Sequence, residues 1–251
     1  MGKSNSAVAS KEEAKNELAA LAGILTTNFK QIEACGSGNS AVGIPVDFHD
    51  FDAMTQGLQR GDLIVLGGRP AMGKTSLGLN MARNVAQSHG LPVCIFGLEM
   101  SKEQLTNRLL SMEVGIESVR LRTGRLEKKE WSLVSKAIEN LGKQSIFVND
   151  KRRLSVKEMI AQCKKISNSN AIQKLGLVVI DYVQLMEGLS DESRDEELSR
   201  IVLDLKKMAT ELDVPVVVIS QLNRDLEYRE NKRPMLSDLR ETESLEQHGD
   251  I

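Results

Sequence analysis

Gly67-Gly68-Arg69-Pro70-Ala71-Met72-Gly73-Lys74-Thr75-Ser76 (GGRPAMGKTS) is the stretch whose reading decides the fold. Residues 68–75 satisfy G-x-x-x-x-G-K-[ST], the phosphate-binding loop pattern. The aliphatic run Leu63–Gly67 precedes it and a helical pattern follows. Strand, glycine loop and helix are the context in which the pattern has a mechanism. Glycines let backbone amides close around phosphate, and the helix amino end adds partial positive charge. Gly68, Arg69, Pro70, Ala71, Met72, Gly73 and Ser76 are therefore expected to surround the nucleotide. Lys74 is expected to neutralise phosphate charge, and the Thr75 hydroxyl to ligate Mg²⁺.

Working outward, four more short apolar runs read as strands: Pro92–Leu98, Ser145–Val148, Leu175–Ile180 and Val214–Ile219. Helical patterns lie between them. Ser101…Gln104 and Ser155…Glu158 each fit a capping box, a helix start signal. Apolar strands alternating with helices imply an α/β fold, a mostly parallel sheet with helices on both faces. Ala14, Leu18, Leu21, Leu25, Phe29 and Ile32 recur at spacings of three and four, so residues 10–34 read as one amphipathic helix. A flexible joint is expected at Cys35–Ser40, and a mobile acidic loop at Glu187–Glu197. The organisation expected is a tail and helix over 1–41 and one domain over 42–251.

The strand ends carry the chemistry. In open parallel sheets ligands sit at the carboxyl edge. Leu177–Ile180 ends in Asp181, which can hold the hydration shell of Mg²⁺. The next residue is Tyr182, where many ATPases place their catalytic glutamate. Glu99, just past the strand Pro92–Leu98, is the expected base. Asp150 also follows a strand, but stands beside Lys151, Arg152 and Arg153 and is expected to pair with them. Gln221, after Val214–Ile219, can bond the γ-phosphate and pass its presence onward. Lys74 and Gln221 join Glu99 as the expected catalytic set.

Composition bounds the partners. The 251 residues are 41% hydrophobic, 27% charged and only 3% aromatic, so the core must be aliphatic. A net charge of −2 excludes a broadly basic coat for nucleic acid and confines any DNA contact to local patches. Cys35, Cys94 and Cys163 lack metal-ligand spacing and suit a reducing compartment. No run of 18 apolar residues occurs, so no membrane-spanning helix is expected.

Several motifs together resemble one family. They are residues 68–75, Leu98-Glu99-Met100-Ser101, Leu121-Arg122-Thr123-Gly124 and Ile180-Asp181-Tyr182-Val183-Gln184-Leu185. Ser220-Gln221-Leu222-Asn223-Arg224 and Lys232-Arg233-Pro234…Ser237-Asp238-Leu239-Arg240-Glu241 complete the set. In order and spacing, over roughly 42–251, they resemble the DnaB-type replicative DNA helicases. The resemblance implies a RecA-like P-loop NTPase preceded by a linker helix that docks on a neighbouring subunit. It further implies a homo-hexameric ring on single-stranded DNA, moving 5′ to 3′ with ATP and Mg²⁺, and in some members a loader. Arg108 matches a family position near the nucleotide, and Arg240 with Glu241 the loop facing DNA. Arg229 and Lys232 are further candidates for phosphate contact. A bacterial cytoplasm or a plastid stroma is the implied compartment.

The likeness has departures. The family's amino-terminal collar has no counterpart, and the chain ends at Gln247–Ile251 inside the last family motif. The strands expected beyond it carry an arginine finger, worth about 10³–10⁵ in rate. The chain alone is thus expected to bind ATP yet hydrolyse it slowly, and to show a bare sheet edge. Thr242-Glu243 replaces a usual serine and glycine, adding a negative charge where DNA phosphate is expected. Two other readings stay open from the residues: a RecA- or RadA-like recombinase core, and a non-catalytic ATP-binding module that assembles into rings.

Overall fold

The computed structural model describes residues 20–37, 42–169, 174–186 and 194–251. The chain divides into two compact units, residues 1–42 and 43–251. In the first, helix α1 (Leu21–Gly36) carries Leu21, Leu25, Phe29 and Ile32 as exposed side chains. The part of the anticipated helix before residue 20 lies outside the described residues. At its other end the helix runs through Cys35 and Gly36, two residues into the expected joint. One glycine costs a helix only about 1 kcal/mol, too little to stop an established one.

The second unit is built on five strands, β1 (Leu63–Gly68), β2 (Val93–Gly97), β3 (Ile146–Asn149), β4 (Leu177–Asp181) and β5 (Val216–Gln221). All pairings are parallel, in the order β1-β5-β4-β2-β3. Alternation along the strands feeds two cores. Cys94, Phe96, Val178, Ile180, Val216 and Val218 face one side, beneath α7 (Val156–Ser169) and α8 (Arg194–Leu212). Val93, Ile95, Leu177, Val179, Val217 and Ile219 face the other, where α3 (Lys74–His89) and α4 (Lys102–Val114) contribute Leu79, Val85, Leu105 and Leu109. The shorter helices α2 (His49–Thr55), α5 (Ser118–Thr123), α6 (Glu130–Gly142) and α9 (Glu243–His248) complete the unit.

Local signals position these elements. Both capping boxes form: Ser101 N donates to Gln104 Oε1 at 3.0 Å, and Ser155 N to Glu158 Oε2 at 2.9 Å, with reciprocal bonds to the serine hydroxyls. Gly97 suits a close approach, because a Cβ there would meet Leu105 Cδ1 and lie 3.1 Å from Met100 O. Its absence lets α4 start directly over the end of β2.

Three expectations are corrected. Residues 194–197 of the acidic run begin α8 instead of continuing a loop. Glu196 and Glu197 are good helix formers, and Leu198, Ile201, Val202 and Leu205 supply the apolar face that holds them; residues 187–193 lie outside the described set. Asp150 accepts Lys102 N at 3.1 Å, adding an anion to the α4 amino end, while Lys151 pairs with Glu158 at 2.7 Å. The edge at β1 is not bare either. Asp250 N donates to Leu63 O at 2.9 Å and Val65 N to Ile251 O at 2.7 Å. Lys206 Nζ donates to both Gly61 O and the Asp250 carboxylate, which also accepts Leu63 N at 2.7 Å.

Leu205 is wholly buried on α8 against the sheet. Leu205→Ala is expected to destabilise the second unit by about 2–5 kcal/mol through lost burial and a cavity. Denaturant unfolding checks this, and a loss below about 1 kcal/mol would contradict the core described.

Candidate active site

The carboxyl ends of β1, β2, β4 and β5 converge on a cleft of about 320 Å³. From β1 the chain enters the phosphate loop. Ala71 and Gly73 take left-handed backbone, φ 62° and 83°, which folds the loop back over the strand end. A Cβ at Gly68 would lie 3.1 Å from Lys74 Cγ, so the glycine gives the lysine stem its channel. Pro70, Ala71, Gly73, Lys74 and Thr75 line the cleft. The first-turn amides of α3 have no intrahelical acceptor, the usual condition for an anion site.

Lys74 Nζ donates to Arg69 O at 2.9 Å. Burial pulls the Lys74 ammonium below its ordinary range, Asp181 and Glu99 counter that, and Arg69 adds to it. Facing it, Asp181 is buried at the tip of β4, and Thr75 Oγ1 donates to its Oδ2 at 2.7 Å. Burial raises the Asp181 carboxyl above its usual value; the Thr75 bond lowers it, Glu99 raises it, and Arg108 and Lys74 lower it. A buried carboxylate thus sits among interacting charges.

Glu99 reaches the cleft through strand pairing. The β2–β4 register sets Gly97 opposite Asp181, and Leu98 N donates to Asp181 O at 2.7 Å. Glu99 is therefore exposed at the cleft wall beside the buried carboxylate. Arg108, from the second turn of α4, and Gln221, from the tip of β5, line the same space. Gln221 is held from behind: Gln184 Oε1 accepts its N–H at 3.4 Å, and Gln184 Nε2 donates to Ser220 Oγ at 2.9 Å.

The expected residues thus divide into two groups. Lys74, Thr75, Glu99, Arg108, Asp181 and Gln221 come together, with Pro70, Ala71 and Gly73. Gly68, Met72 and Ser76 flank the loop without lining the cleft, and the Arg69 side chain turns away to Leu222 O and Glu227. Met100, Gln104 and Tyr182 line it as well. None was singled out as a site residue, although Gln104 ends a capping box and Tyr182 directly follows the strand-end carboxylate.

The expected DNA contacts lie elsewhere. Lys232 is exposed. Arg229 is not a free cation, because its Nη2 donates to the buried Asp238 carboxylate at 2.6 Å. The side chains of Arg240 and Glu241 lie outside the described residues. The Met235 N–H, and after it the Arg229 bond, hold the Asp238 carboxyl below its ordinary range against a burial penalty.

Comparison with known proteins agrees in extent with this geometry. The family model of the DnaB-like helicase C-terminal domain matches residues 43–251. The chain is 49% identical over 234 residues to a replicative DNA helicase DnaB of Nostoc sp., covering 93% of this chain and 26% of that one. Against the Geobacillus stearothermophilus replicative helicase DnaB it is 42% identical, covering 91% and 50%. It is also similar to a probable replicative DNA helicase of Trieres chinensis, at 46% identity over 83% of this chain and 46% of that one. The chain thus spans about a quarter to a half of these relatives. A solved ATPase domain superposes with a TM-score of 0.88 at 35% identity, covering 94% of this chain and 82% of that chain. A solved DnaB-like replicative helicase, described with its primase interactions, gives 0.84 at 34%, covering 99% and 60%.

Asp238 has a depressed folded value, so its stabilising effect is present above the unfolded carboxyl value and lost as pH falls through the folded one. Asp238→Asn is expected to lower the unfolding midpoint at neutral pH, with the gap to wild type closing in acid. A gap independent of pH would contradict this account of the Asp238 carboxylate.

Proposed function

The chain belongs to the DnaB-like helicase C-terminal domain family, and from that premise we propose that it is the ATP-driven motor domain of a replicative DNA helicase. One observation carries the reading: Lys74, the Thr75–Asp181 pair, Glu99 and Gln221, from four separate strand ends, line a single cleft.

The chemistry proposed is transfer of the terminal phosphoryl group of ATP to water. Thr75 and Asp181 bring hard oxygen donors together, 2.7 Å apart, as a hard divalent cation such as Mg²⁺ requires. Bound there, the ion would neutralise charge on the β- and γ-phosphates. Lys74 and the loop amides bind and orient the phosphates. Glu99 accepts a proton from the attacking water as the oxygen–phosphorus bond forms. Gln221 hydrogen-bonds the γ-phosphate and is released when it departs.

Single-stranded DNA is the proposed track, in a ring of copies of this chain advancing 5′ to 3′. Translocation without sequence preference needs phosphate contacts, and a few cations per subunit suffice when repeated around a ring. Lys232, Arg240 and Glu241 are proposed to face DNA, with Arg229 positioning that segment through Asp238. Residues 1–41 are proposed as the linker between subunits. The relatives' organisms fit a bacterial or plastid compartment.

The test is nucleotide binding and DNA-stimulated ATP turnover, measured in rings completed with an intact relative. Lys74→Ala is expected to weaken ATP binding about 10- to 100-fold, the loss of one charge-assisted contact. Glu99→Gln is expected to bind ATP normally and lower kcat by about 10²–10⁴. Lys232→Ala is expected to reduce the salt dependence of DNA binding by about one unit of slope per subunit. ATP binding without turnover, even in completed rings, would support the passive ring module instead.

A further inference from the structure

We propose that the ion pair between Arg69 and Glu227 is a positioning link, passing nucleotide occupancy of the phosphate loop to residues 222–238. The inference rests on the nucleotide-binding reading above. It assigns a role to a side chain that the loop pattern leaves unspecified.

The Arg69 guanidinium bridges two segments. Its Nε and Nη2 donate to Glu227 Oε1 at 2.8 and 2.6 Å, and its Nη1 donates to Leu222 O at 2.7 Å. A planar fork can hold a carboxylate and a carbonyl at once, which an ammonium on a flexible stem does poorly. The arginine side chain is only 11% exposed, so its course is fixed by packing.

Both ends of the link are attached to something that can move it. At the near end, Lys74 Nζ donates to Arg69 O. A phosphate oxygen is an anionic acceptor and competes for that ammonium more strongly than a neutral carbonyl. Redirecting Lys74 therefore removes a restraint on the Arg69 backbone. At the far end, Glu227 sits in the 3-10 helix Arg224–Tyr228, directly before Arg229. Asp238 gathers the next stretch through Arg229 Nη2 and Met235 N, and its backbone O accepts Asn223 N at 2.9 Å. Leu222, Leu226 and Leu239 pack with Val65, so the segment behaves as one piece.

Two routes thus leave the cleft toward the segment proposed to face DNA. One runs along the chain from Gln221 into Leu222, the other through Arg69 and Glu227. Glu227 stands outside the cleft and its side chain is 55% exposed. The carboxylate end is half exposed, and Arg69 keeps its bond to Leu222 O when it is gone, so removing this carboxylate tests the link without unfolding the protein.

The experiment reads amide hydrogen exchange across residues 222–241 with and without magnesium and adenylyl imidodiphosphate. Wild type, Glu227→Ala and Glu227→Lys are compared, with Glu230→Ala as a control for a nearby exposed acid. Nucleotide affinity and the unfolding midpoint are measured on the same samples. The analogue is expected to change exchange in wild type and in Glu230→Ala. In both Glu227 variants that change is expected to be at most about half that of wild type, the remainder passing through Gln221, with affinity and midpoint unaltered. A change of wild-type size in the Glu227 variants overturns the link, as does one diminished in Glu230→Ala. Wild type that binds the analogue with no change also overturns it. Wild type that fails to bind overturns the parent reading, and the link with it.

Discussion

The Thr75–Asp181 hydrogen bond is the contact on which the site depends. It joins the first turn of α3 to the tip of β4, two elements that approach only at the sheet's carboxyl edge. Burying a carboxylate is costly unless something offsets the loss of water. Here a hydroxyl donor is in place, with Lys74 and Arg108 acting at longer range. The same buried oxygens are the ones proposed to hold a divalent cation. Perturbed charges of this kind concentrate where proteins do chemistry.

Strand order sets that contact within the arrangement proposed to be catalytic. β4 lies between β5 and β2, so Asp181 has Gln221 on one side and Glu99 on the other. β1, on the far side of β5, brings the phosphate loop. The proposed base, metal-holding carboxylate, γ-phosphate partner and cradle thus stand in one row. Chain order would scatter them over residues 68–221. The parallel register, held by two aliphatic cores, brings them together.

Much of this was legible from residues alone. The five strands fell within two residues of their positions, because aliphatic runs bounded by loops have few alternatives. Both capping boxes formed as read, since their partners are three residues apart. The phosphate loop was legible because its mechanism is local. What escaped was non-local or tertiary. Arg69 and Glu227 are 158 residues apart, and no periodicity marks their meeting. Arg229 looked like a free cation until Asp238 was brought against it. Residues 194–197 read as loop because their acidity hides the apolar face that starts at Leu198.

The central claim is that a phosphate held at this edge has its water polarised by Glu99. A crystal structure with magnesium, ADP and aluminium fluoride, in rings completed with an intact relative, tests it most directly. The account requires a Glu99 carboxylate oxygen within about 2.6–3.2 Å of the in-line water. A water held in line by other groups, with Glu99 turned to solvent, would contradict it.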